Sequence, residues 1–299
     1  MLFAVVDVLG PVLVIVICGN LYARFRPAQM DFINKANMDV FVPALIFSAL
    51  TGHDWSVQMF SSLLMVAALI ILLPGLLTLP LLPFTGLKGR VLLPPVMFNN
   101  SGNLGLPLMV FAFGESALPA AVMLFIVENT LHFTIGMAIV SQGKDCLSFL
   151  KSPMIWATLA AFVVHTLQLP IPLFLDRAID LTGQVAIPLM LFALGVRIGQ
   201  ARLTGISLTF IAGLWIPITG LASAFISFWL LESLELAAID QGQQNMLWLY
   251  AVLPPAVLNF LVAERYLTED KQKHQVAELV LWGNLLCVVP IGIVLALLL

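Results

Sequence analysis

The sequence predicts an all-α polytopic membrane protein with ten transmembrane helices, arranged as two inverted five-helix repeats in which helices 4 and 9 are broken. Three observations predict this fold. Hydrophobic residues make up 61% of the 299-residue chain and charged residues only 10%, whereas soluble domains are about 45–50% apolar and about 25% charged. Apolar segments of membrane-spanning length recur along the chain, and one motif occurs at corresponding places in its two halves.

The composition also excludes several functions. So few charged residues cannot cover the surface of a soluble enzyme, and a net charge of −3 provides no basic patch for nucleic acid. The cysteines Cys18, Cys146 and Cys287 are odd in number and far apart, unlike those of a disulfide framework or a metal site. We interpret them as small apolar packing residues.

Ten segments approach the ~20 mostly apolar residues that a membrane helix requires. They are 2–21, 37–51, 59–82, 91–112, 117–140, 153–169, 178–196, 206–231, 246–263 and 276–298. The first is not expected to be a signal peptide, because it carries Asp7 where a basic region would lie and ends in Asn20-Leu21-Tyr22 rather than in small residues.

The basic residues predict the orientation of these spans. Twelve of the 13 Lys and Arg residues lie in connections 1, 3, 5, 7 and 9, and the remaining one, Arg177, lies in an even connection. Because cytoplasmic loops are enriched in Lys and Arg, both termini are expected outside the cytoplasm, in a multi-pass protein of the cell (inner) membrane.

The motif L-P-P-x-x-x-N occurs at 93–99 and at 253–259, in the fourth span of each five-span half. A weaker pair, Val42–Phe47 and Ile187–Phe192, lies in spans 2 and 7. Since five is odd, the second half enters the membrane from the opposite side, as in many secondary transporters. We divide the chain into a first repeat at 1–140, a cytoplasmic linker at 141–152 and a second repeat at 153–299. Two unrelated proline kinks are the alternative.

Span 4 carries a polar segment, 99–103, near bilayer depth, where lipid cannot satisfy polar groups. Because Asn and Ser favour helix N-caps and Gly weakens helices, we expect a break near Asn99–Ser101 and an equivalent break at Asn259. Two restarted helices would together present about one positive charge, which suits a carboxylate. No Lys or Arg lies in mid-span, so a monovalent anion should be held more easily than a dianion.

The predicted substrate-binding residues comprise this polar segment, its counterpart in span 9, and the prolines that interrupt the short spans 2 and 7 and would shape the cavity wall. They are Asn99, Asn100, Ser101, Asn103, Asn259, Pro43 and Pro188. The alternative is that the asparagines only bond one helix to another.

Glu128 lies near the centre of span 5, and His132 follows one helical turn later on the same face. A charged carboxylate at this depth costs ~3 kcal/mol or more. The pair is therefore either a proton-coupling or charge-compensating site, or a neutral Glu bonded to a neighbouring backbone or to Asn129. A metal site is not expected, because no third ligand lies near the pair in the sequence.

The segment Asn99–Leu108 resembles the fourth-span motif of bacterial members of the auxin efflux carrier family. Three further segments resemble its second, seventh and ninth spans, in the same order: Val42–Phe47, Phe192–Gly195, and Pro255–Ala263 with Tyr266. The resemblance implies a scaffold domain of spans 1, 2, 6 and 7, a transport domain of spans 3–5 and 8–10, and a homodimer. It also implies that the broken helices 4 and 9 cross at the substrate site. It also matches Asn100 to an asparagine that reaches the substrate carboxylate, whereas Asn99 and Asn259 stand where plant relatives have proline.

We therefore expect a secondary active transporter of small organic anions, malonate- or auxin-like carboxylates, working by alternating access of an elevator-like or rocking kind. It is expected to be no enzyme and to need no cofactor, with H⁺ or Na⁺ as a possible coupling ion. Its expected partners are the anion, the bilayer and a second copy of the chain, and no nucleic acid. The alternatives are a sodium-coupled symporter of the bile-acid type, an intramembrane enzyme using Glu128 and His132, and a receptor that does not transport.

Overall fold

The computed structural model describes residues 2–26, 30–53, 57–143, 148–200, 208–235 and 239–299. Most of these residues are helical and none forms a β-strand, which confirms the predicted all-α class. Cys146 and parts of connections 5 and 7, at 144–147 and 201–207, lie outside the described residues.

Seventeen α-helices follow one another in the described part of the chain. They are α1 Leu2–Phe25, α2 Asp31–Ala36, α3 Val42–Thr51, α4 Val57–Thr78, α5 Leu82–Thr85, α6 Gly89–Met97, α7 Leu106–Phe113, α8 Leu118–Leu131, α9 Met137–Ser141, α10 Pro153–Thr166, α11 Leu173–Gln184, α12 Ala186–Gln200, α13 Leu208–Ser233, α14 Gln241–Ala251, α15 Leu258–Tyr266, α16 Asp270–Leu286 and α17 Val288–Leu298. Short 3₁₀ segments lie at Leu79–Leu81, Glu115–Ala117 and Ser148–Lys151.

Six helical stretches of the described chain are long and apolar enough to cross a membrane. They are Phe3–Phe25, Ser61–Thr85, Glu115–Ser141, Leu173–Gln200, Leu208–Ser233 and Asp270–Leu298, and they coincide with predicted spans 1, 3, 5, 7, 8 and 10. Shorter apolar helices occur at Ser101–Phe113 and Pro153–Thr166, within predicted spans 4 and 6. The protein is therefore a multi-pass membrane protein, and the remaining predicted spans correspond to shorter or interrupted helices.

Three π-helical turns interrupt the regular helices of the described chain, at Asn37–Phe41, Ser101–Gly105 and His132–Gly136. Each contains a buried polar side chain: Asn37, Ser101 and His132, respectively. A π-turn widens the helix locally and is frequent at functional sites. The three turns thus mark the region of the molecule where polar groups enter the apolar interior.

Glycine allows α1 and α12 to pack closely. A Cβ atom added to Gly19 would lie 2.1 Å from the carbonyl oxygen of Phe192, and one added to Gly195 would lie 2.0 Å from that of Val16. Small residues are the usual means by which membrane helices bring their backbones together.

The most extensive packing divides the helices into two groups. In the first group, α1 packs on α12, and α3 packs on α10 and α11. In the second group, α4 packs on α6, α8 and α13, while α16 packs on α6, α13 and α15. Contacts between the groups also exist, for example between α12 and the π-turn Ser101–Gly105, but they are less extensive.

Two helical passages are interrupted by extended backbone. The first interruption, at 98–100, separates α6 from the π-turn that leads into α7. The second, at 252–257, separates α14 from α15. The sequence predicts a break at Asn259, but that residue lies in the first turn of α15. The two copies of the motif therefore fold differently, because Pro94 and Pro95 remain within α6 while Pro254 and Pro255 lie in the interruption.

Candidate functional site

The two interruptions meet and bond through their backbones. Asn99 and Pro255 form an isolated antiparallel β-bridge. The amide of Asn100 donates to the carbonyl oxygen of Pro254 at 2.6 Å, and the amide of Ala256 donates to that of Phe98 at 2.9 Å. Backbone groups released by the helix breaks, which lipid could not satisfy, thus satisfy one another at a crossing of the two chain segments.

Two asparagine side chains complete this crossing. Asn99 Nδ2 donates to the carbonyl oxygen of Tyr250 at 3.0 Å. Asn259 Nδ2 donates to the carbonyl oxygens of Phe98 and Ala256, each at 3.0 Å. The Oδ1 atoms of both residues are buried and have no hydrogen-bond partner among the described residues.

Asn100 is held by a residue that the sequence analysis did not select. Its Nδ2 atom donates to Oδ1 of Asn284 in α16 at 3.3 Å. Asn284 Nδ2 in turn donates to the carbonyl oxygens of Pro255 and Val280, at 3.0 and 2.8 Å. Asn284 therefore fixes the orientation of the Asn100 amide; its polarity within a predicted apolar span was the signal that could have identified it.

Glu128 and His132 lie directly behind the crossing. Their side chains are 3% and 1% exposed, and His132 Nδ1 lies 3.1 Å from Glu128 Oε1. Ser101 Oγ donates to Glu128 Oε2 at 3.4 Å. The imidazole ring also stacks on the ring of Phe98, with centroids 4.4 Å apart. The pair predicted from its i, i+4 spacing is thus in contact with the broken segment of span 4.

A cavity of about 550 Å³ opens in front of the crossing. Asn99, Asn100, Asn103 and Glu128 contribute to its wall, as do Asn34, Asn37, Asp39, Phe125, Asn129, Phe133, Met137, Met190, Leu194 and Leu261. The starts of both restarted helices also line it, at Gly102 and Leu258. In α15 the N–H groups of Asn259 and Phe260 already donate to the carbonyl oxygens of Ala256 and Val257, at 3.1 and 3.0 Å. The ends of both helices carry a partial positive charge, so the cavity floor is suited to an anion.

Three cationic side chains also line this cavity: Lys151, Arg197 and Arg265. They follow or end predicted spans 5, 7 and 9. Because no Lys or Arg lies in the middle of a predicted span, the sequence predicts an anion site that contains neither residue. The tertiary structure corrects this prediction, because span ends distant in sequence converge on one cavity. The same convergence adds Asn34, Asn37 and Asp39, which we had not assigned to the site.

A family model described as "Membrane transport protein" matches residues 4–146 and 137–295, nearly the whole chain. The chain belongs to the auxin efflux carrier family. The matched family is one of membrane transport proteins, which are not enzymes.

One relative of this family member is a protein of Rhizobium meliloti (strain 1021) named "Putative malonate transporter". The two are 33% identical over 111 residues, which is 33% of this chain and 35% of the relative. The chain thus spans about a third of the length of the curated relative that it matches.

The carrier brings most of the predicted site residues together, but in different roles. Asn99, Asn100 and Asn103 line the cavity, whereas Ser101 and Asn259 lie behind them and bond within the crossing. Pro43 and Pro188 are not among the residues that line the cavity, and Pro188 is exposed. Pro43 follows the π-turn Asn37–Phe41, three of whose residues, Asn37, Met38 and Asp39, do line the cavity.

Proposed function

We propose that this protein is a secondary active transporter of small organic anions that carry carboxylate groups, working by alternating access. One observation carries the proposal: two interrupted helices begin again at the floor of the same cavity, beside the side chain of Asn100. Two helix N-termini together supply about one positive charge. They favour a carboxylate over a neutral or cationic solute.

The cations of the cavity wall favour a substrate with a second negative charge. Arg197 presents a planar set of donors that matches a carboxylate, and Lys151 and Arg265 lie on the same wall. A malonate-like dicarboxylate, with one carboxylate at the crossing and the other toward Arg197, uses both features. The name of the R. meliloti relative supports the same choice. An auxin-like monocarboxylate has no second carboxylate to place near Arg197.

The proposed topology is ten spans in two inverted repeats of five, with both termini outside the cytoplasm. The proposed location is the inner membrane of the cell. The placement of Lys and Arg supports this orientation. Lys151, Arg197 and Arg265 then lie on the cytoplasmic side, so the cavity opens toward the cytoplasm and the structure is inward-facing.

The packing groups support a scaffold domain of spans 1, 2, 6 and 7 and a transport domain of spans 3–5 and 8–10. Side-chain hydrogen bonds join members of the second group. Trp215 Nε1 donates to Thr78 Oγ1 at 3.1 Å, and Arg90 Nε donates to the carbonyl oxygen of Val140 at 2.8 Å. In the first group, Ser48 Oγ donates to Asp180 Oδ1 at 3.1 Å.

An ion pair on the proposed cytoplasmic face joins two connections of the transport domain. Lys88 Nζ lies 2.8 Å from Glu269 Oε1. Hydrogen bonds from Lys88 and Gln272 hold the pKa of the Glu269 carboxyl below its ordinary value. The interaction is therefore present at neutral pH and is lost only as the pH falls through this lowered pKa. This ion pair and the hydrogen bonds above favour movement of the second group as one body, in an elevator-like or rocking transition.

We propose a homodimer on the family resemblance alone.

A sodium-coupled carrier of the bile-acid type is the second candidate. Asn99 Oδ1 and Asn259 Oδ1 are buried at the crossing without a partner among the described residues. Amide oxygens are ligands for hard cations. Dependence of anion binding on sodium separates this candidate from the first.

The test is malonate counterflow in proteoliposomes that contain the wild type or Asn100→Ala. Losing a partner to a charged group costs about 1–3 kcal/mol, so we expect half-saturation by malonate to rise about 5- to 150-fold. Asn245→Ala, at an amide in α14 that is not among the cavity-lining residues, is the matched control and should transport normally. Near-normal malonate affinity in Asn100→Ala would exclude the proposed site.

A further inference from the structure

The Glu128–His132 pair contains a buried nitrogen without a partner. His132 has no measurable exposure, and its Nδ1 atom faces the Glu128 carboxylate at 3.1 Å. Its Nε2 atom has no hydrogen-bond partner among the described residues. Phe98 covers one face of the ring, and a Cβ atom added to Gly136 would lie 2.7 Å from His132 Cδ2. The packing encloses the imidazole without satisfying Nε2.

The charge of this pair depends on one proton. With it, the pair is neutral overall, either as a carboxylic acid beside an imidazole or as a carboxylate beside an imidazolium. Without it, the pair carries one buried negative charge. Because Glu128 lines the cavity and accepts a hydrogen bond from Ser101, next to Asn100, that charge would stand beside the anion. Charges interact strongly at such depth.

We propose that Glu128 and His132 form a one-proton site whose occupancy is coupled to anion binding at the crossing, so that the protein carries a proton together with its anion. The inference rests on the proposed function and names its coupling ion. Binding of the anion favours the protonated pair, and protonation of the pair favours the anion by the same factor, since linkage is reciprocal.

Few other ionisable groups surround the pair. The sequences of α3, α4, α7 and the π-turn Ser101–Gly105, which pack on α8, contain none. From α14, the Tyr250 hydroxyl donates to the carbonyl oxygen of Leu124 at 3.3 Å. Glu115 is exposed at the other end of the same passage, and the remaining charges line the cavity: Asp39, Lys151, Arg197 and Arg265.

The sign of the pH dependence follows from this charge. As the pH rises through the titration of the pair, the proton is lost and the negative charge repels the anion. Malonate binding should therefore weaken with rising pH, by at most about tenfold per pH unit, because one proton is linked to one anion. The test range should lie above about pH 6.5, where both carboxyl groups of malonate are ionised.

The experiment compares Glu128→Gln with Glu115→Gln, the same chemical change at an exposed carboxylate of the same passage. Proteoliposomes loaded with a pH-sensitive dye receive malonate under an inward proton gradient, an inward sodium gradient or neither, and counterflow is measured in parallel. Wild type and Glu115→Gln should accumulate malonate with the proton gradient and acidify the lumen. In Glu128→Gln the ratio of gradient-driven uptake to counterflow should fall at least about tenfold, and the pH slope of binding should vanish.

A second measurement judges the proton site without transport. In protein labelled with ¹⁵N-histidine, the His132 signal is identified by its loss in His132→Gln. Its chemical shifts should change with pH in the wild type, whichever member of the pair holds the proton, and Glu128→Gln should alter that change. Absence of counterflow in the wild type would exclude malonate as substrate, while the histidine titration would still judge the proton site. Accumulation driven by sodium alone, an unchanged ratio in Glu128→Gln, or a His132 signal that is constant with pH would each overturn the inference.

Discussion

Asparagine side chains do two different things at the crossing. Asn99 and Asn259 donate to backbone carbonyl oxygens at the helix breaks, those of Tyr250 and Phe98. Asn100 lines the cavity beside Asn99, but its amide donates to the Asn284 side chain rather than to a carbonyl oxygen. Asparagines within a short segment therefore have different hydrogen-bond partners, and the difference depends on what each side chain meets in α14 and α16.

Arg197 provides the prediction at this scale. In Arg197→Gln we expect half-saturation by malonate to rise about 3- to 30-fold, because a hydrogen bond to a charged group contributes about 1.5–3 kcal/mol and Arg197 is only half-buried. A short monocarboxylate should be affected much less. Competition assays in counterflow measure both affinities.

Arg177→Gln is the matched control for Arg197→Gln, since Arg177 is exposed and not among the residues that line the cavity. It should leave both affinities unchanged. Equal losses for dicarboxylates and monocarboxylates in Arg197→Gln would show that Arg197 contributes only general positive charge rather than a second carboxylate site.

At the scale of elements, glycines allow helices to pass the crossing at close range. A Cβ atom added to Gly283 in α16 would lie 2.3 Å from Cδ of Pro255, a rigid ring. One added to Gly105 would lie 2.7 Å from Leu253 Cδ1, and one added to Gly102 would lie 2.6 Å from Phe125 Cε2. The interruptions can thus be buried because their neighbours lack side chains at these positions.

Gly283→Ala should therefore destabilise the protein. Overpacking of this kind costs about 1–3 kcal/mol, and the displacement of Pro255 should also lower the rate of counterflow. Thermal unfolding in detergent measures the first effect. Gly292→Ala in α17 is the control, since nothing lies within 4 Å of an added Cβ atom there. It should be neutral or slightly stabilising, by at most about 1 kcal/mol. Equal unfolding midpoints in the two variants would contradict the packing argument.

At the scale of the whole molecule, the cavity and the distribution of charge support the proposed orientation. Lys151, Arg197 and Arg265 place the cavity on the side where Lys and Arg accumulate. The two packing groups then meet along a surface beside this cavity, where movement of one group relative to the other would change the side on which the crossing is accessible.

Cysteine labelling tests this orientation. In a background without the three native cysteines, Leu261→Cys on the cavity wall should react with a membrane-impermeant maleimide in inside-out vesicles, and malonate should reduce the rate. Ser116→Cys, exposed in a predicted extracytoplasmic connection, should react in spheroplasts instead and should not respond to malonate. The opposite sidedness would mean that the cavity faces outward.

Much of this architecture could be predicted from the sequence. Hydropathy gave the helical class and six spans that the structure reproduces as long helices, and residue spacing brought Glu128 and His132 together. The polar segment of span 4 predicted an interruption within about a residue of its position at 98–100. These features are local: they depend on apolar length, on the 3.6-residue period and on the poor helix propensity of Asn, Ser and Gly.

The pairing of distant segments was decided by the tertiary structure. The repeated motif suggested that Asn99 and Asn259 are equivalent, yet Asn99 pairs with Pro255, and Asn259 caps the crossing from within α15. Asn284 and Arg197 joined the site from helices whose sequences gave no pattern connecting them to it. Composition and period fix which segments are helical and how deep they lie, because these properties depend on neighbours in the chain. Polar atoms about 150 residues apart in the sequence meet only where glycine and proline let the helices approach closely. This approach is determined by helix packing.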